Sequence, residues 1–202
     1  AVVELHIEQG SYLEDDGKQV GVVTAISWIE RMSCELRGQQ AHAGGMPMRG
    51  RRDALCGAAE LVLAAESIAL SSSDPLVVAT VGHMEYEPKA VPIVPGWAKL
   101  TVDLRCADQE TAKIHMDRVK EAAVEIARRR RLELEWGPAW EQPGAMLAPE
   151  IVQLVAGSCE ELGISYKLMA SGGGHDTMNL ARRFPAGMIF VPMSKDDPSY
   201  FF

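Results

Sequence analysis

Cysteine is scarce in this sequence and nowhere paired: Cys34, Cys56, Cys106 and Cys159 are the only four, and none stands in a C-x-x-C pair. Thiolate zinc sites use such pairs, so that class is excluded and the four read as reduced thiols, mostly in the core. Basic charge is the minority as well, with 20 lysines and arginines against 28 acidic residues and a net charge of -8. That balance opposes electrostatic binding to nucleic acid or to an anionic membrane. No apolar run approaches the roughly 20 residues that cross a bilayer. The first residues also lack the basic start and small-residue cleavage site of a signal peptide. The expected compartment is the cytoplasm and the expected partner a small molecule.

What is present is a chain of 202 residues, 47% hydrophobic, with room for one large domain or two small ones around a real core. It opens at Ala1, directly inside an apolar strand pattern, as a piece of a longer protein would. In "AVVELHIEQG" Val3, Leu5 and Ile7 alternate with Glu4, His6 and Glu8, which predicts a buried strand with His6 on the face of both glutamates. A polar turn at "EDDGK" leads to a second strand, "QVGVVTAI". From Trp28 to about Trp140 the order is strand, helix, strand, strand, helix, strand, the helices being "RRDALCGAAELVLAAESIAL" and the stretch opened by Asp108. This is the order of a split βαβ, ferredoxin-like α+β unit. Beyond Gly144, "APEIVQLVAGSCEELG" reads as a helix, "ISYKLMA" as a strand, "HDTMNLARRF" as a helix and "GMIFVP" as a buried strand. Such alternation belongs to an α/β layer with parallel strands. The expected fold is therefore α/β, a partial parallel-sheet domain at 1–26 and 142–202 interrupted by an inserted α+β ferredoxin-like domain at 27–141.

Two histidines stand where chemistry collects. His6 is either a core histidine bonded to Glu4 or Glu8, or a metal ligand converging with His175, which follows the strand end at "SGGG". The same glycine-rich loop could take a phosphate at a helix N-terminus, but it lacks the Gly-Lys-Ser/Thr of a P-loop. "HIE" without a later Pro-Cys-x-x-Cys does not make a zinc deaminase. "RRRR" at 128–131 fits the negative end of a helix dipole more simply than it fits nucleic acid. "AHAGGMP" sets His42 on an exposed loop, as a structural turn residue or a functional one. Arg105, closing "LTVDLR", is either a surface charge or a bidentate carboxylate binder.

Taken together, "ELHIEQG" with "YLE" after it, "GVVTAI", "GQQAHAGGMPM" with "RRDA", "VPG" before "TVDLR", and "SGGGHDTMNLA" before "GMIFVP" resemble one family. It comprises N-carbamoyl-L-amino acid hydrolase, allantoate amidohydrolase and β-ureidopropionase, and is itself similar to the dinuclear zinc aminoacylases and exopeptidases. The resemblance implies a hydrolase of linear ureido or carbamoyl amides that carries two divalent ions, zinc first, with manganese or cobalt also possible. It implies that His6 and His175 each hold one metal and that Gln9 lines the substrate pocket. The inserted domain becomes a dimerisation lid of a homodimer, His42 polarises the scissile carbonyl of the partner's site, and Arg105 grips the substrate carboxylate.

The same resemblance defines what differs here. The family's N-terminal part supplies a His-x-Asp pair and a Glu-Glu pair, which carry the remaining ligands and the general base, and none of that N-terminal part is in this sequence. The family's asparagine before V-P-G falls on Pro92, and a nearby one on Lys89. Its serine-histidine loop after the last strand is replaced by "PMSKDDPSYFF". The chain alone is therefore expected to be inactive, with its base upstream of Ala1. The rival expectation is a truncated or diverged chain that survives as a dimerisation module.

Overall fold

The period-two start of the chain becomes strand β1 (Val2–Ile7) in the computed structural model, which describes residues 1–193. Its polar side is the covered one: Glu4 and His6 are half-buried, whereas Val3 and Leu5 are 49% and 67% exposed. The alternation is as expected, but the apolar face is not buried; β1 is also the edge strand of its sheet among the described residues. Glu8 lies past the strand end and turns inward, and its two carboxylate oxygens accept from the N–H groups of Tyr12 and Leu13 at 2.8 and 2.9 Å. This caps the single turn α1 (Tyr12–Asp15) and takes Glu8 off the face it was expected to share with His6.

The chain continues through β2 (Val20–Ile26), β3 (Trp28–Arg37), β4 (Ala41–His42), α2 (Ala54–Leu70), β5 (Val78–Glu87), β6 (Ile93–Val94) and β7 (Trp97–Cys106). It then forms α3 (Gln109–Arg130), β8 (Glu133–Gln142), β9 (Ala145–Met146), α4 (Pro149–Glu161), β10 (Tyr166–Ser171), α5 (Thr177–Leu180) and β11 (Ala186–Val191). Two compact units result, one made of Ala1–Trp28 with the residues from Pro143 onward, the other of Ile29–Gln142.

In the first unit the sheet order is β1-β11-β2-β10, with β9 also on β2. β1 runs parallel to β11 and β10 parallel to β2, but β11 and β2 are antiparallel. The expectation of a parallel sheet is thus corrected to a mixed one. β11 lies between β1 and β2, parallel to the first and antiparallel to the second, so β2 runs in the opposite sense to β1, returning through the single turn α1. Leu13, Val23, Ile26, Leu147, Met178, Met188 and Phe190 form the core. Helix α4 lies so close to β11 that a Cβ on Gly187 would meet Ile151 Cγ2 at 2.3 Å, which is why glycine stands there.

In the second unit the sheet order β5-β7-β3-β8 places the first and third strands of the unit at its centre, the split βαβ arrangement. β7 alternates strictly, burying Ala98, Leu100, Val102, Leu104 and Cys106. Helices α2 and α3 pack on each other and on the sheet. Both are opened by aspartate caps: Asp53 accepts from the Cys56 N–H at 3.0 Å and Asp108 from the Thr111 N–H at 2.9 Å. The "RRRR" run is internally engaged: Arg128 pairs with Glu125, Arg129 and Arg130 both pair with Glu60, and Arg131 takes a left-handed cap at φ 57.

All four cysteines are free, with Cys56 exposed and the other three buried. Burial pushes the Cys34 and Cys106 thiols up to about 11. No helix among the described residues is long and apolar enough to cross a membrane. The "SKDDPSYFF" end, residues 194–202, lies outside the described residues.

Candidate metal centre

His6 and His175 come from opposite ends of the first unit and meet. The parallel pairing of β1 with β11 sets His6 beside Phe190, and the loop after β10 brings His175 in from the far side. The two imidazoles lie edge to face with ring centroids 4.6 Å apart, and both stand edge-on to Phe190, at 6.4 and 5.5 Å. Glu4, two residues before His6 on the same strand face, completes the group. Each of the three offers a ligand atom, and these atoms all lie within 4.8 Å of one another.

Each member is oriented by a partner. His6 Nδ1 is 2.7 Å from the Ile7 carbonyl, so it carries the proton and leaves the Nε2 lone pair available. His175, which is buried, has its Nε2 2.7 Å from Ser171 Oγ, leaving Nδ1. The Ser171 hydroxyl is itself held by the N–H of Gly173 at 3.1 Å. Glu4 Oε2 accepts from the Thr177 N–H at 2.9 Å and also from the Thr177 hydroxyl, tying β1 to the start of α5. Burial, and then the neighbouring His6, pull the His175 pKa below the ordinary histidine range, against an opposing pull from Glu4 and Asp176.

Two chemistries could use such a set. Ser171, His175 and Glu4 have the composition of a nucleophile triad, but Ser171 is 1% exposed and no substrate can reach its hydroxyl. A divalent ion asks instead for neutral imidazole nitrogens and a carboxylate oxygen, with the second ring nitrogen of each histidine held by an outer partner. Glu4, His6 and His175 fit that demand in donor type and proximity, and each has an outer hydrogen-bond partner. Glu4 was legible in the alternation of the first strand, though only as a hydrogen-bond partner for His6. Ser171 and Thr177 carried no signal in the sequence, since their roles depend on loop geometry.

Of the other expected residues, Gln9 belongs to the first unit and His42 and Arg105 to the second. Gln9, exposed just past β1, adopts φ 55, a left-handed conformation that costs a non-glycine residue about 1–2 kcal/mol. His42 ends the short strand β4 in the second unit and is exposed. Arg105 lies on β7, its Nε 2.8 Å from Asp103 Oδ1, while Asp103 Oδ2 takes Arg31 Nε at 2.7 Å. Burial raises the Asp103 carboxyl, but the bonds from Arg105 and Arg31 outweigh it and hold the group below its usual range. Arg31 also lies over the Trp140 ring at 4.7 Å. Pro92 offers a carbonyl rather than a side-chain amide: it accepts from the Ala43 N–H at 2.8 Å, directly beside His42.

The chain is similar in sequence and fold to known hydrolases. The sequence model of peptidase family M20/M25/M40 matches residues 1–200. The ureidoglycolate hydrolase of Arabidopsis thaliana is 38% identical over 196 residues, covering 96% of this chain and 41% of that protein. The N-carbamoyl-L-amino-acid amidohydrolase of Paenarthrobacter aurescens is 34% identical over 192 residues, covering 95% of this chain and 46% of that protein. Among solved structures, an amidase of the hydantoinase/carbamoylase family from Burkholderia multivorans superposes with a TM-score of 0.91 at 36% identity, covering 94% of this chain and 46% of that one. The chain thus spans less than half the length of these relatives.

Proposed function

Because the chain belongs to peptidase family M20/M25/M40, we propose that it is part of a metal-dependent amidohydrolase that cuts a C–N bond in a linear ureido or carbamoyl compound. The observation that carries this reading is the convergence of Glu4, His6 and His175 within 4.8 Å, each oriented by a separate partner. The names of the relatives narrow the substrate: carbamoyl amino acids and ureidoglycolate share a carboxylate and an N–C(=O)–N carbon. Allantoate and ureidopropionate present the same two features.

In this reading His6 Nε2 and His175 Nδ1 are ligands of a two-ion centre and Glu4 joins them, a residue added to the expected pair. The metal is zinc, with manganese and cobalt as alternatives. Divalent ions there would polarise the amide carbonyl and make water nucleophilic near neutral pH. The chain's own residues do the rest. Arg105, braced through Nε by Asp103, binds the substrate carboxylate. Gln9 lines the pocket from its strained position at the end of β1. His42 supplies a donor to the oxygen on which charge develops, a contribution of roughly 3 kcal/mol for one such donor. The second unit acts as a dimerisation lid, with His42 serving the site of the other copy in a homodimer. The remaining ligands and the general base are supplied by residues outside this sequence.

Metal content is the direct test. After dialysis against zinc and then metal-free buffer, protein that includes the complementary residues should retain zinc by elemental analysis, and His6→Ala and His175→Ala should each reduce retention. Such protein keeping no metal would overturn the assignment. Ammonia release from N-carbamoyl amino acids, allantoate and ureidoglycolate by zinc-loaded protein that includes the complementary residues then identifies the substrate.

A further inference from the structure

Two backbone amides aim at one ring nitrogen of His42. The N–H groups of Gly44 and Gly45 donate to its Nδ1 at 3.2 and 3.1 Å. A neutral imidazole has one N–H and one lone pair, so an accepting Nδ1 puts the proton on Nε2. The turn that aims these amides is fastened at several points. The N–H groups of Gly45 and Met46 return to the His42 carbonyl at 3.1 and 3.0 Å, and the Ala43 N–H is taken by Pro92. Ala41 and His42 pair with Val94 and Ile93 across β4 and β6. Arg51 closes the turn from its other end, donating Nε and Nη2 to the Met46 carbonyl, both at 3.2 Å, and Nη2 to the Ala43 carbonyl.

We propose that this turn, with Arg51 as its positioning residue, holds His42 in the Nε2–H tautomer, so that the ring offers a hydrogen-bond donor and no base. The ligand this suits is an acceptor oxygen, such as a carbonyl or carboxylate of the substrate. The tautomer stands on the second unit alone, whereas its use on a substrate carbonyl rests on the amidohydrolase reading. Neither neighbouring glycine is needed for space: a Cβ on Gly44 would sit 3.4 Å from His42 Cε1, an ordinary contact. What the site requires at that position is the N–H.

The test is the nitrogen-15 NMR signature of the ring in histidine-labelled chain at about pH 9, where an ordinary histidine is neutral. The signal is assigned by its loss in His42→Gln. Wild type should show Nδ1 as a bare acceptor and Nε2 as N–H, in a single tautomer. Gly44→Ala, which keeps the amide, should leave that pattern unchanged. Arg51→Met should shift the ring toward a mixture of tautomers, and Arg51→Lys should restore part of the wild-type signal. A wild-type ring that averages both tautomers would overturn the proposal, as would an Arg51→Met chain with an intact amide spectrum and unchanged ring signals. Failure of the zinc-loaded protein to hydrolyse any ureido compound would sink the amidohydrolase reading while leaving the tautomer standing.

Discussion

At the scale of single residues, the centre depends as much on its holders as on its ligands. Thr177 meets Glu4 with both its N–H and its hydroxyl, so Thr177→Val removes one of two bonds that aim the carboxylate. Loss of such an outer partner should weaken zinc binding by about 10–100-fold in calorimetric titration. Unchanged affinity would show that the Thr177 hydroxyl does not position a ligand. His175 adds a pH signature. Burial lowers its folded pKa below the unfolded value, so the unfolded chain binds the extra proton first and stability rises with pH through that window. Metal-free wild type should therefore lose stability as pH falls below about 6.5, and His175→Gln should lose less over the same range, read from urea midpoints at pH 7.5 and 5.5. These two histidines were visible as candidates from residue type and strand-end position alone. That they stand 4.6 Å apart was not, because their approach is created by the pairing of β1 with β11 and by the loop after Ser171.

At the scale of elements, helices were the legible part and strand direction the illegible part. Asp108 could be identified as the start of α3 because a capping carboxylate and the apolar period that follows are local features. Its cap bond to the Thr111 N–H holds the carboxyl below its usual range, so the cap is fully present above about pH 4 and is lost as pH falls through the lowered folded value. Asp108→Ala should cost about 1 kcal/mol at pH 7 and progressively less in acid, as measured by thermal denaturation at both conditions. The antiparallel step between β11 and β2 and the exposed side of β1 could not be read, since alternation defines two faces without saying which one is covered. That exposed side has a consequence. An apolar alternation on an edge strand is a template for association, so Leu5→Lys should reduce light scattering of the concentrated chain while shifting its melting temperature little.

At the scale of the whole molecule, the second unit enters and leaves at neighbouring points. Ile29 of β3 is paired directly with Gln142 of β8, the first and last residues of that unit. With its own buried core, residues 29–142 expressed alone should unfold cooperatively, and circular dichroism that showed no folded state would contradict this. In the first unit the two chain ends also lie side by side, since a Cβ on Gly144 would meet the Trp28 nitrogen at 2.8 Å. Bringing those ends together across a flexible insert of this length costs on the order of 4 kcal/mol in closure entropy. A folded insert has already made that closure. With Ile29 and Gln142 facing each other, the long interruption acts as a tight turn in the folded chain, and β1, β2, β10 and β11 are joined as if the chain between them were short.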